Sequence, residues 1–146
     1  PVHMGSGRKL MMFDTKIAVV DRDDLATWQK LNVTAFLISG ITGANPAIVG
    51  ETYRDKGGRE HLAMSVQPVI VLAGAANILT NIRNRAYDRG VDTVVYIEEM
   101  FGTGHDEANR AVFAEHSADE ANTVGIALRA DRKTVDKITK GAKMHS

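Results

Sequence analysis

The chain has 146 residues, with 18 basic and 18 acidic side chains, 44% hydrophobic residues, 3 prolines and no cysteine. Zero cysteines exclude disulfides, thiolate zinc sites and a cysteine nucleophile, and the charge balance argues against a chain that grips nucleic acid by counterion release. The longest apolar run, Val69 to Ala73 with Ala75 and Ala76 beyond a glycine, is far short of the roughly 20 residues that cross a bilayer, and no secretory signal is read ahead of it, so a cytoplasmic protein without membrane contact is expected.

Residues 1–10 hold Pro1-Val2-His3-Met4-Gly5-Ser6-Gly7-Arg8, a stretch without periodicity that reads as an expression-tag remnant before a native start near Met11 or Met12. Residues 11–146 are then expected to form a single α/β domain. Thr15 to Val20 is a short β-branched run that predicts a buried strand. Asp21-Arg22-Asp23-Asp24 behind it reads as a turn, with Asp21 and Asp24 as turn and helix-cap residues. Leu25 to Ile41 is too long for a strand and predicts a largely buried helix, stopped before Asn45-Pro46. Asp55-Lys56-Gly57-Gly58 looks like a hairpin turn between Thr52-Tyr53-Arg54 and His61-Leu62-Ala63-Met64.

Val69 to Ala73 predicts a fully buried strand closed by Gly74. Ile78, Leu79, Ile82 and Ala86 then recur at helical spacing, so Ala75 to Arg89 predicts an amphipathic helix capped by Gly90. Val91 to Ile97 is a third strand, Glu98 to His105 a loop, and Asp106 to His116 a short helix. Thr123 to Leu128 is the fourth strand, and Asp131 is a good N-cap for a final helix reaching Gly141. Alternating strands and helices predict an α/β layer fold with a mainly parallel sheet.

Ligands in such sheets gather at the carboxyl ends of parallel strands. That rule selects Asp21 to Asp24, Gly74 and Glu98 to His105 as neighbours. In Gly102-Thr103-Gly104-His105-Asp106-Glu107, paired glycines allow close backbone approach, and the amides of the following helix start favour an anion or carbonyl oxygen. The loop lacks the third glycine of a dinucleotide fingerprint and the G-K-[ST] of a phosphate loop. No spacing matches a metal motif, and neither metal nor cofactor is expected. His61 reads as a hairpin or core-edge residue, and His116 and His145 as solvent-facing. Trp28 either flanks a ligand or packs on the sheet.

Met100-Phe101-Gly102-Thr103-Gly104-His105-Asp106-Glu107-Ala108-Asn109-Arg110, with Tyr53-Arg54-Asp55, Gly58, His61-Leu62 and Gln67-Pro68 before it, resembles the domain of unknown function 2000 family from Lys16 to Lys143. That family is similar in fold to peptidyl-tRNA hydrolase type 2. The resemblance implies a three-layer α/β/α architecture with a four-stranded mixed sheet of order 2-1-4-3. It also implies a catalytic set: Lys30 at the hydrolases' helix lysine, Glu99 where they carry aspartate, and Thr123 at the threonine that begins the fourth strand. A lysine can stabilise an oxyanion and a carboxylate can orient water for attack on an ester. Thr34-Ala35-Phe36-Leu37 stands where the hydrolases have a polar run, which favours a ligand smaller and less charged than an RNA end.

The expected ligand-binding residues beside that set are Asn32, Thr34, Thr103, Gly104, His105, Asn109 and Arg110. Two function classes follow: a small hydrolase acting on an ester-like bond, and a noncatalytic module that binds a small molecule. A catalytic site should bring Lys30, a carboxylate and a hydroxyl within about 3–5 Å of a shared point. A third reading, RNA binding with residual peptidyl-tRNA hydrolase activity, rests on Arg83, Arg85, Arg89 and the lysines of the last helix. Ala108, Ala111, Val112 and Phe113 exceed what one face of a short helix needs for packing, which predicts a homodimer.

Overall fold

A computed structural model describes residues 13–145; the tag remnant and start expected within residues 1–12 lie outside the described residues. The elements in chain order are β1 (Thr15–Arg22), α1 (Thr27–Ala44), a 3-10 turn (Pro46–Ile48), β2 (Tyr53–Arg54), β3 (Glu60–His61), β4 (Val69–Gly74), α2 (Ala76–Asp88) and β5 (Thr93–Ile97). A second 3-10 turn (Glu98–Gly102), α3 (Asp106–Phe113), β6 (Thr123–Asp131), α4 (Arg132–Ile138) and β7 (Lys143–Met144) complete them.

The main sheet has five strands in the order β5-β6-β1-β4-β7. The expectation of a mainly parallel sheet is corrected, because only β1 and β4 run parallel while β6 opposes both β1 and β5 and β7 opposes β4. The reason is local: β5 reaches its neighbour β6 through residues 98–122, which bring the chain back beside β5 without a crossover helix on the sheet. The expected count of four strands becomes five through β7, whose two residues pair with Leu72 and Ala73. Read by position in the chain, the four longer strands β1, β4, β5 and β6 lie second-first-fourth-third, the expected order.

Alternation along β1 sorts the core into layers. Ile17 and Val19 join Val33, Leu37 and Ile41 of α1 on one face, whereas Ala18 and Val20 join Leu79, Ile82 and Ala86 of α2 and Val135 and Ile138 of α4 on the other. α1 lies close to the sheet because Gly125 and Gly40 present no side chain. A Cβ on Gly125 would meet Val33 and, at 2.9 Å, Leu37 Cδ1, and one on Gly40 would meet Val94 Cγ2 at 2.7 Å. Asp131 caps α4 by accepting the Thr134 amide at 3.1 Å, and Gly90 closes α2 at φ +67°. The Gln67 side chain is buried and donates to Thr15 O at 2.7 Å and accepts from Arg129 Nε at 3.3 Å, so Gln67-Pro68 pins the entry to β4.

Candidate functional site

A groove of about 720 Å³ lies between α1, β5, the second 3-10 turn and α3. It touches Thr93, Val94, Val95 and Tyr96 in succession. Successive strand residues face opposite sides of a sheet, so a groove that meets them all runs along the open edge of β5 and not over one face. Trp28, Asn32 and Phe36, each four residues apart on α1, form one wall, and Asn109, Arg110 and Phe113 of α3 stand opposite.

Aromatic rings line its length. Trp28 meets Phe101 edge-on with centroids 5.9 Å apart, Phe101 lies 5.3 Å from Tyr96, and Tyr96 lies 5.9 Å from Phe36. Trp28 nevertheless remains 63% exposed, so it serves as wall more than as core. Burial pushes the Tyr96 phenol above its usual range and keeps it neutral.

Polar groups gather at the α3 end. His105 is the N-cap of α3, and its Nδ1 accepts the Ala108 amide at 3.2 Å, so the neutral ring carries its proton on Nε2 as a donor. The Thr103 hydroxyl sits between Met100 O, at 2.9 Å, and the Asn109 side-chain amide, which closes the glycine loop. Arg110 Nε pairs with Asp106 Oδ2 at 2.6 Å and leaves further N–H groups unspent. Asn32, Thr103, Gly104, His105, Asn109 and Arg110, six of the expected ligand residues, all line the groove.

Lys30, Thr34, Glu99 and Thr123 do not line it. Lys30 and Asn32 are two residues apart on one helix and point about 160° away from each other, so they face opposite sides of α1. Thr34 donates to Asp21 Oδ2 at 2.8 Å on that other side of α1. Glu99 accepts from Asn122 Nδ2 at 3.2 Å, with His116 Nε2 4.0 Å away, and so faces the segment between α3 and β6. Thr123 is turned away by a bulge: Tyr96 pairs with Gly125 while Ile97 pairs with Thr123, leaving Val124 as the extra residue. The Thr123 hydroxyl therefore reaches α2, where it accepts from Arg83 at 3.2 Å.

The chain matches the family described as protein of unknown function (DUF2000) over residues 15–146. It belongs to the DUF2000 family. A solved protein of unknown function from Agrobacterium tumefaciens strain C58 is 59% identical, covering 92% of this chain and 100% of that one with a TM-score of 0.92. No curated protein matches.

In this DUF2000 chain Asp21, selected as a strand-end neighbour but read as a turn residue, is the seventh residue of β1, 1% exposed and facing α1. Its signal was alternation: Ile17, Val19 and Asp21 share a face once the strand is run past Val20. Tyr96 and Phe113 were missed as groove residues, whereas Phe36, expected as core or pocket wall, stands in the wall at helical spacing from Trp28 and Asn32. His116 and His145, expected to face solvent, are mostly covered and lie beside Glu99 and Asp21. Two of the basic helix residues are committed as well. Arg83 stacks on Phe113 at 5.3 Å and Arg85 caps the end of α4 through Ile138 O and Lys140 O. Among the described residues, no group of three or more His, Asp or Glu is placed to hold a metal ion.

Proposed function

We propose that this protein is a noncatalytic binding module that takes a small molecule into the groove along β5. The ligand lays a flat apolar body on Trp28, Phe101, Tyr96 and Phe36 and turns an acceptor oxygen toward His105 and Arg110. The observation that carries this reading is the division of labour in the groove: a continuous aromatic wall, with the cap histidine His105 and the Arg110 guanidinium gathered at the α3 end. Lys30, Glu99 and Thr123, the set on which ester hydrolysis would rest, stay out of the groove, with the Thr123 hydroxyl taken by Arg83 and Glu99 Oε2 by Asn122. The strand order agrees with the hydrolase resemblance, and a fold of that kind can keep its cleft while its chemistry changes.

Trp28 is the single tryptophan of the chain and stands in the groove wall, so its fluorescence reports occupancy directly. A screen of small carboxylates and carbonyl compounds with aromatic or acyl bodies is expected to yield ligands that change Trp28 emission and raise Tm. Phe101→Ala and Arg110→Ala should each weaken them by about 10-fold, the scale of one lost stacking or charge-assisted contact. Peptidyl-tRNA should not be cleaved above background. Robust cleavage that disappears in Lys30→Ala with the fold intact would overturn the binding reading in favour of the hydrolase.

A further inference from the structure

α1 separates the groove from a second, polar place on the same face of the sheet. Lys30 and Thr34 lie one turn apart on the side of α1 away from Asn32, above the carboxyl end of β1. That strand end adjoins its parallel neighbour β4, through the pairing of Asp21 with Ala73, at the kind of position where open α/β sheets collect ligands. Asp21 is buried there. Its Oδ2 accepts from Thr34 Oγ1 at 2.8 Å and lies 3.6 Å from His145 Nε2, and its Oδ1 has no hydrogen-bond partner among the described residues. Oδ1 rests 3.6 Å from where a Cβ on Gly125 would stand. Lys30 is half-buried and acts on Asp21 electrostatically, without a hydrogen bond or ion pair of its own among the described residues. The strand neighbours Ala73 and Gly125 bring no charge, so Lys30 and His145 are the charged or titratable groups that face the carboxyl.

Buried carboxylate oxygens ordinarily accept several hydrogen bonds, and Oδ2, with one from Thr34, has room for another. Here burial raises its pKa while Thr34, His145 and Lys30 oppose the rise, a pattern typical of working sites. His145 arrives from β7 on the far edge strand, and 3.6 Å is too long for a good hydrogen bond, so it covers Oδ2 without satisfying it. We propose that Asp21, Lys30 and Thr34 form a second site, for a small ligand that carries an oxyanion beside a hydroxyl or amine, with His145 as its cover. Lys30 takes the oxyanion as a charge-assisted partner, Asp21 Oδ2 accepts the neighbouring donor, and Thr34 holds that carboxyl in place.

Glycolate carries both groups and acetate lacks the donor, so the pair tests each half of the site by amide chemical shifts of the full chain. Glycolate is expected to shift Asp21, Lys30, Thr34 and His145 saturably, with acetate about 10-fold weaker, the scale of one hydrogen bond to a charged group. Lys30→Ala should abolish both responses. Asp21→Asn keeps the shape of the side chain and should erase the preference for glycolate, which a purely structural aspartate would leave unchanged. His145→Ala should tighten glycolate binding. Equal binding of the two acids by the wild type would overturn the role of Asp21, weaker binding in His145→Ala would overturn the cover, and no response in either protein would overturn the site. Trp28 emission should stay constant throughout, so the outcome is independent of the groove.

Discussion

Asp21 combines a buried carboxyl with an oxygen left unpaired against Gly125, and that combination costs the fold free energy when the group ionises. Its folded pKa is raised, mainly by burial. For an acid this means that the folded state holds the proton more tightly than the unfolded chain. Stability from Asp21 is therefore fully present below the usual carboxylate range and declines as pH rises through the raised value. Asp21→Asn keeps a partner for Thr34 and removes the ionisation. At neutral pH it should be more stable than the wild type by about 1 kcal/mol, or roughly 4 °C in Tm, with the difference vanishing in acid. Thermal melts of both proteins across pH check this, and a constant gap at every pH would show that ionisation of Asp21 is not the cost. Thr123 teaches a different lesson at the same scale. Its identity and place at the start of β6 were legible, but one extra residue at Val124 reverses the face it serves. Nothing in Asn122-Thr123-Val124-Gly125 marks that bulge, because β-branched residues and glycine suit a regular strand start equally well.

Elements were read best where periodicity is strong. β1, α1, β4 and α2 lie where the apolar spacing puts them, and the hairpin forms around Asp55 to Gly58. Strand ends were harder: β6 continues to Asp131 because Arg129, Ala130 and Asp131 pair with β1, a long-range partner that local composition cannot show. β7 was missed for the same reason. The seat of α1 on the sheet is a property of two elements together, and it yields a paired prediction. Gly125→Ala would drive a methyl into Val33 and Leu37, whereas Gly43→Ala, at an exposed position in the last turn of α1 with open space around its Cβ, adds helix propensity. Gly125→Ala is expected to lower stability by about 1–3 kcal/mol, and Gly43→Ala to raise it by about 0.5–1 kcal/mol. Denaturant titration measures both. A neutral Gly125→Ala would mean that α1 can lift from β6 at little cost.

For the molecule as a whole, the expectation of a homodimer shifts to a different surface. α3 has no buried residue, yet Phe113 is already used beneath Arg83 and in the groove. Exposed apolar side chains also stand on and beside the β2–β3 hairpin, where Tyr53, Met64 and Val66 are exposed and Leu62 is 88% exposed. Patches of this kind on soluble chains usually meet a partner, and a second copy is the commonest one. Sedimentation at micromolar concentration is expected to show a species heavier than 15.9 kDa, reverting to that mass in Leu62→Ser/Met64→Ser. A wild-type monomer would remove the proposal and leave the hairpin's apolar face unexplained. α1, finally, stands between the groove and the buried Asp21 carboxyl, with Trp28, Asn32 and Phe36 turned to one side and Lys30 and Thr34 to the other. Pinned to the sheet by Val33, Leu37 and Ile41, the helix insulates its two sides: filling one leaves the shape of the other unchanged. The interaction free energy between the two occupants is then near zero whichever side is filled first, so the chain takes them as independent inputs.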